Sequence, residues 1–171
     1  QFNQLVSLDV SQNTALNWLG PNSNQLTSLD VSNNTALTML QCSVNQLTSL
    51  DVSNNTALTD LRCGSNLLTS LDVRNGNNTN IIYFTLVNNP NLTCINVDDS
   101  SWSSNWWTVV NGNIDPHHYF SNNCPPPSAI QEHTTNRELL RTIDVLGRET
   151  KSHPLFYIYD DGTVEKRIVI E

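Results

Sequence analysis

The chain has 171 residues, 37% of them hydrophobic and only 14% charged, with a formal net charge of −8. It has no Lys/Arg cluster that could track phosphates, which argues against nucleic acid or an anionic membrane surface as a partner. No apolar run approaches the roughly 18 residues of a membrane span. The length suits one ordinary domain with a small appendage. The Asn-, Thr- and Ser-rich composition suits an extracellular β-rich protein better than a helical cytosolic enzyme.

The opening residues Gln1 to Leu5 match the interior of a later repeat, Ser23-Asn24-Gln25-Leu26. The chain is therefore expected to start inside a repeat, as part of a longer protein whose N-terminal portion carries any export signal. Leu5, Leu26, Leu47 and Leu68 lie 21 residues apart, as do Leu8, Leu29, Leu50 and Leu71. Asp9, Asp30, Asp51 and Asp72 keep the same step, and so do Val10, Val31, Val52 and Val73. Asn13, Asn34 and Asn55 form a further series, and Asn24, Asn45 and Asn66 another.

Each period carries two copies of one pattern: Leu37-x-x-Leu40-x-Cys42-x-x-Asn45 and Leu47-x-x-Leu50-x-Val52-x-x-Asn55. Leu-x-Cys and Leu-x-Val alternation puts two side chains on one face of a short strand. One coil cannot bury that face alone, but coils stacked about 4.8 Å apart bury a continuous ladder. Each Asn stands where the chain turns, placed to bond the backbone of a neighbouring coil. Two such units per coil predict a flat coil with short strands on two sides. This pattern resembles the leucine-rich-repeat family over about residues 1–98. The resemblance implies a mainly β solenoid of 21-residue coils with a C-terminal cap and a small β-rich tail.

The repeat degrades at Arg74-Asn75-Gly76-Asn77-Asn78, which carries an insertion, and Leu92 to Asp98 is the last recognisable half-repeat. Residues 99–124 read as the cap. Their aromatics Trp102, Trp106, Trp107, Tyr119 and Phe120 suit an end plug, with a carbohydrate-stacking surface as the sharper alternative. Cys94 and Cys124 bracket the cap and are expected to form a structural disulfide, which fits an oxidising compartment. Cys42 and Cys63 occupy ladder positions and read as buried, unreactive thiols. No C-x2-C or His spacing supports a zinc site, and His117 and His118 read as surface histidines.

Pro125-Pro126-Pro127-Ser128 begins a stiff linker over 125–135. Composition then changes, with 14 of the last 40 residues charged. Strand-like runs cover 139–145, 155–159 and 164–170, separated by the turn signals Leu146-Gly147-Arg148-Glu149 and Asp160-Asp161-Gly162-Thr163. Residues 136–171 resemble the C-terminal sorting domain of type IX secretion cargo of Bacteroidetes. The residues carrying this likeness are Leu140, Asp144, Leu146, Gly147 and Arg148 in a "v-D-x-L-G-R" element, then Tyr157, Tyr159 and Gly162 in a hairpin. Lys166, Arg167, Ile168 and Ile170 follow in a terminal basic-apolar strand. The resemblance implies export across the outer membrane, through recognition of this tail by the type IX translocon or its shuttle, to the cell surface or medium. A segment this short rarely buries enough apolar area to hold itself together, so the tail is expected to order when bound.

No Gly-x-Ser-x-Gly, phosphate-cradling glycine loop or H-E-x-x-H occurs, so the chain reads as non-catalytic. The stacked Asp9/Asp30/Asp51/Asp72 ladder needs relief from like-charge repulsion. Solvent and local hydrogen bonds would supply it, with Ca²⁺ as the alternative and no cofactor otherwise. The expectation is a secreted or cell-surface binding protein whose solenoid presents Trp18, Met39, Gln41, Asp60 and Arg62, with Gly20, to a protein or glycan. The rival reading makes the chain the non-catalytic C-terminal part of a secreted enzyme whose catalytic domain lies upstream.

Overall fold

The structure, a computed structural model, describes residues 3–125 and, beyond them, the backbone of strands 139–143, 156–159 and 164–166. The chain divides into two compact units, Gln1–Ala129 and Ile130–Glu171.

The first unit is a mainly β solenoid of about five coils. Its strands are β1 (Trp18–Leu19), β2 (Met39–Gln41), β3 (Ser49–Asp51), β4 (Asp60–Arg62), β5 (Ser70–Asp72), β6 (Tyr83–Thr85), β7 (Cys94–Asn96) and β8 (Tyr119–Ser121). They form two parallel four-stranded sheets. The first sheet has the order β1-β2-β4-β6 and the second β3-β5-β7-β8. Like positions pair from coil to coil, so Leu19, Leu40, Leu61 and Phe84 stack in one ladder. Leu50, Leu71, Ile95 and Phe120 stack in the other. The two ladders face one another, and the Leu, Val and Cys residues of the period fill the space between them. Register holds because a one-residue slip would turn every apolar side chain outward.

The turn asparagines hold the coils together as the repeat predicts. The Asn45 Nδ2 donates to the Pro21 and Cys42 carbonyls (2.9 and 3.0 Å), while its Oδ1 accepts from the Leu26 N–H at 3.1 Å. Asn66 repeats this with the Cys42 and Cys63 carbonyls and the Leu47 N–H, all at 3.1 Å. Asn89 continues the series. On the opposite edge, the Asn34 and Asn55 side chains donate across coils to Val10, Asn13, Val31 and Asn34 carbonyls. Their own amide oxygens are buried without a partner among the described residues. The insertion moves this second ladder by one residue, so that Asn75 rather than Gly76 donates to the Asn55 carbonyl. One corner of each coil takes a left-handed residue: Ser23, Val44, Ser65 and Asn88, with φ between 55° and 63°.

The insertion forms a short 3₁₀ turn, Asn78–Asn80, and the chain after β7 enters helix α1 (Ser100–Trp106). The Asp99 carboxylate caps that helix by accepting from the Trp102 N–H at 2.9 Å. A disulfide joins Cys94 to Cys124 and closes the cap onto β7.

The second unit contains an antiparallel sheet of order β11-β10-β9, made of β9 (Leu139–Ile143), β10 (Phe156–Tyr159) and β11 (Val164–Lys166). Each of the three runs expected to be extended contains one of these strands. The pairing shifts between Ile158 and Tyr159, which marks a bulge.

Candidate ligand-binding face

The alternation that buries Leu19, Leu40, Leu61 and Phe84 points their neighbours outward. The outward row of the first sheet reads Trp18, Met39, Asp60 and Tyr83, and beside it run Gln41, Arg62 and Thr85. The structure therefore gathers Trp18, Met39, Gln41, Asp60 and Arg62 on one face. Trp18 and Tyr83 stand at its two ends, 55% and 58% exposed. The Trp18 ring lies over Gly20, where an added Cβ would come within 2.8 Å of it, so glycine is what lets the indole lie flat.

Asp60 departs from the expectation. It is only 3% exposed and cannot meet a ligand directly. The Arg62 guanidinium covers it with a two-pronged contact, Nε to Oδ1 at 2.9 Å and Nη2 to Oδ2 at 3.0 Å. Gln41 adds a weaker donor at 3.5 Å. The Arg62 Cζ lies 5.1 Å from the centre of the Tyr83 ring. Asp60 thus orients Arg62, and the aromatic ring holds the guanidinium from its other side. Tyr83 and Thr85 are members of this face that the strict 21-residue step does not reach. Aligning Phe84-x-Leu86-x-x-Asn89 with Leu61-x-Cys63-x-x-Asn66 across the insertion would have found them.

The second sheet presents a different surface. Ser49 and Asp51 flank Leu50, Ser70 and Asp72 flank Leu71, and Ser28 and Asp30 precede them in the same step. Each aspartate accepts from the backbone N–H two residues on: Ser11 and Ser32 at 2.9 Å, Ser53 at 2.8 Å and Arg74 at 3.0 Å. Hydrogen bonds from Ser11 hold the Asp9 carboxyl below its usual range, and those from Ser32 do so for Asp30. Arg74 does the same for Asp72. Local hydrogen bonds and one arginine thus offset the repulsion along the ladder.

The cap aromatics divide into two groups. Trp107 is buried and stacks on Phe84 with ring centres 4.0 Å apart and planes within 8°. Trp102 meets Trp107 edge-on at 5.4 Å, and Phe120 packs against it at 5.8 Å. These rings plug the solenoid. Trp106, one helical turn beyond Trp102, remains 61% exposed.

Of the two adjacent histidines, His117 is exposed but His118 is buried, contrary to a surface reading for both. Among the described residues, Asp115, His117 and His118 are the set of three whose potential ligand atoms lie within 4.8 Å of one another. The Asp115 N–H donates to the His118 Nδ1 at 3.2 Å. That contact places the proton of the neutral ring on Nε2, which faces the Asn89 carbonyl at 3.3 Å. The Asp115 carboxylate in turn accepts from the Asn89 N–H at 3.2 Å. His118 is thus committed at both nitrogens to anchoring the last rung of the asparagine ladder. Burial lowers its pKa from the ordinary histidine value.

Cys42 and Cys63 are buried thiols on adjacent coils. The Cys42 contact and then burial push the Cys63 thiol well above the usual range. Among the sorting-signal residues, Leu140 lies on β9, Tyr157 and Tyr159 on β10, and Lys166 on β11. Asp144, Leu146, Gly147, Arg148, Gly162, Arg167, Ile168 and Ile170 lie outside the described residues, as does most of the 125–135 linker. No helix among the described residues is long and apolar enough to cross a membrane.

No protein-family model matches the chain, and comparison with curated proteins gives no match. Among solved structures, the chain is similar to the functional domain of InlJ from Listeria monocytogenes, which includes a cysteine ladder, at 35% sequence identity and a TM-score of 0.48. The likeness covers 56% of this chain and 24% of that one, so the chain spans about a quarter of the length of the protein it matches.

Proposed function

We propose that this chain is a non-catalytic binding module, exported by type IX secretion to the cell surface or medium, and that the outward face of its first sheet meets a protein or glycan ligand. One observation carries the binding assignment. Up to β5 the second side repeats the same Ser and Asp residues, Ser28 and Asp30, Ser49 and Asp51, Ser70 and Asp72, and departs from them only at β7 and β8, whereas the first sheet changes at every rung: Trp18, then Met39 and Gln41, then Arg62 over Asp60, then Tyr83 and Thr85. A uniform face satisfies itself locally. A face that keeps the backbone ladder but varies its side chains has the form that solenoids use for recognition. Its aromatic ends and central arginine belong to the residue types that dominate binding hot spots.

The export assignment rests on the resemblance of residues 136–171 to a sorting domain. Both parts are tested in a type IX-competent host. Deleting 136–171 should strand the protein in the periplasm, and unchanged export would remove the route. For the face, the whole chain is screened against immobilised extracellular-matrix proteins and glycans beside two variants. Trp18→Ala/Arg62→Ala/Tyr83→Ala should lose at least tenfold in affinity, and Asp30→Asn/Asp51→Asn should not. The reverse pattern would move the ligand to the second sheet.

A further inference from the structure

A second surface lies at the cap, where Ile82 adjoins Tyr83 at the end of the varied row of the first sheet. Helix α1 places Trp102 and Trp106 four residues apart, with ring centres 6.0 Å apart and planes inclined by 26°. Trp102 packs against the core, while Trp106 stacks on Trp102 and stays largely open. Across from them stand the 3₁₀ turn and the start of β6, with Thr79 on the turn and Ile82 76% exposed. A loop from 108 to 113 closes one side. It reverses at Gly112 in a left-handed conformation, and the Asn113 N–H donates to the Thr108 carbonyl at 3.0 Å. Asn113 is pinned, its Nδ2 donating to the Phe84 carbonyl at 2.7 Å and its Oδ1 accepting from the Thr108 N–H at 3.0 Å. Asn111 beside it is exposed. Thr79, Ile82, Trp102, Trp106, Asn111 and Asn113 thus border a groove of about 490 Å³.

Closing the solenoid does not require this arrangement. Trp107, Phe84 and Phe120 already fill the end, and Trp106 and Ile82, both lining the groove, leave apolar area open to water there, as binding grooves do. The lining indicates the chemistry of an occupant. Its apolar part is Ile81, Ile82 and the indoles of Trp102, Trp106 and Trp107, of which Trp106 is the most open. Its polar part is amide and hydroxyl only, with no charged side chain. The unit that holds it, residues 1–129, has eight aspartates (Asp9, Asp30, Asp51, Asp60, Asp72, Asp98, Asp99 and Asp115) against two arginines (Arg62 and Arg74), an excess that repels anions. A pyranose ring has one face of C–H groups and an edge of hydroxyls, and carries no charge. It matches an aromatic platform rimmed by neutral donors and acceptors.

We infer that the groove between α1 and the 78–82 segment is a binding site for a neutral sugar, stacked on Trp106 with its hydroxyls directed to Asn111 and Thr79. The site stands independently of the first-sheet face.

The test uses the whole chain with chitotriose, cellopentaose and maltopentaose as neutral probes and sialyllactose as the anionic one. Binding is followed by calorimetry and by tryptophan emission. At least one neutral probe should bind and shift the emission, and sialyllactose should bind at least tenfold more weakly. Trp106→Ala, at an exposed position, should abolish that binding, and Trp106→Phe should retain part of it. Trp18→Ala/Arg62→Ala should bind the sugar as the parent does, even if it loses the ligand of the first sheet. No binding of any neutral probe at 10 mM, an unaffected Trp106→Ala variant, or preference for sialyllactose would each overturn the inference.

Discussion

Replacing Asn66 by alanine should destabilise the solenoid more than replacing Asn55, although both side chains are buried and both bridge coils. The Asn55 Nδ2 donates to the Val31 and Asn34 carbonyls. Those oxygens keep other donors when it is lost, because the Asn34 N–H bonds the Val31 carbonyl and the Leu37 N–H bonds the Asn34 carbonyl, each at 3.0 Å. Asn66 differs at one atom. The Cys42 and Cys63 carbonyls that it serves are also reached by Asn45 and Asn89. The buried Leu47 N–H, however, has the Asn66 Oδ1 as its acceptor. Asn55→Ala loses two inter-coil bonds, and Asn66→Ala loses one between coils to Cys42 and one within its coil to Cys63, at about 0.5–1.5 kcal/mol each, plus packing. Only Asn66→Ala also orphans a buried amide hydrogen, which costs about 1–3 kcal/mol more. With a urea dependence of about 2 kcal/mol/M, the Asn66 variant should unfold about 0.5–1.5 M earlier than the Asn55 variant. Urea titrations of both, followed by far-ultraviolet dichroism, check this. Equal midpoints, or an earlier one for Asn55→Ala, would refute the assignment of the two ladders.

Other perturbations reach the cap and the corners. Cys94→Ser/Cys124→Ser opens a loop of 30 residues and should cost about 3–4 kcal/mol by loop-closure entropy. Tryptophan emission from the cap should change earlier than the dichroism of the coils, and coincident, unshifted transitions would contradict this. His118 titrates below the ordinary histidine value of about 6.5 when folded, because burial and then His117 disfavour its cation, and the Asn89 carbonyl and Asp115 only partly compensate. The unfolded chain therefore binds more protons in that window, so stability is complete above about pH 6.5 and falls as pH drops through the folded pKa. Asp9, Asp30 and Asp72 are also depressed, and their contribution disappears only below about pH 4. Urea midpoints should thus fall between pH 7.5 and 5 in the parent and much less in His118→Gln, and parallel curves would rule this out. Val44 is a β-branched residue at φ 58°, a conformation costing an L residue about 1–2 kcal/mol that asparagine tolerates better. Val44→Asn should raise stability by about 1 kcal/mol, and a lower melting temperature would show that the corner is not strained.

The solenoid was legible because its interactions repeat. A side chain in one coil meets its equivalent in the next, so the 21-residue step alone determined the leucine ladders, the two sheets and the bridging asparagines. The Cys94–Cys124 pairing followed from where the repeat stops. Three features were not legible. Asp60 reads as a surface carboxylate until Arg62 is seen lying over it. The insertion hid Tyr83 and Thr85 by shifting the step, and the same shift moved a ladder rung to Asn75. The cap had no period to read. Whether Trp107 or Trp106 would be buried depended on Phe84, and the burial of His118 depended on Asn89, each a contact between non-equivalent residues more than 20 positions apart. The sequence by itself determined what stacks on what, because stacking depends on spacing. Only the tertiary structure decided which aromatic rings plug the end and which stay open, because closing a solenoid depends on shapes that meet once.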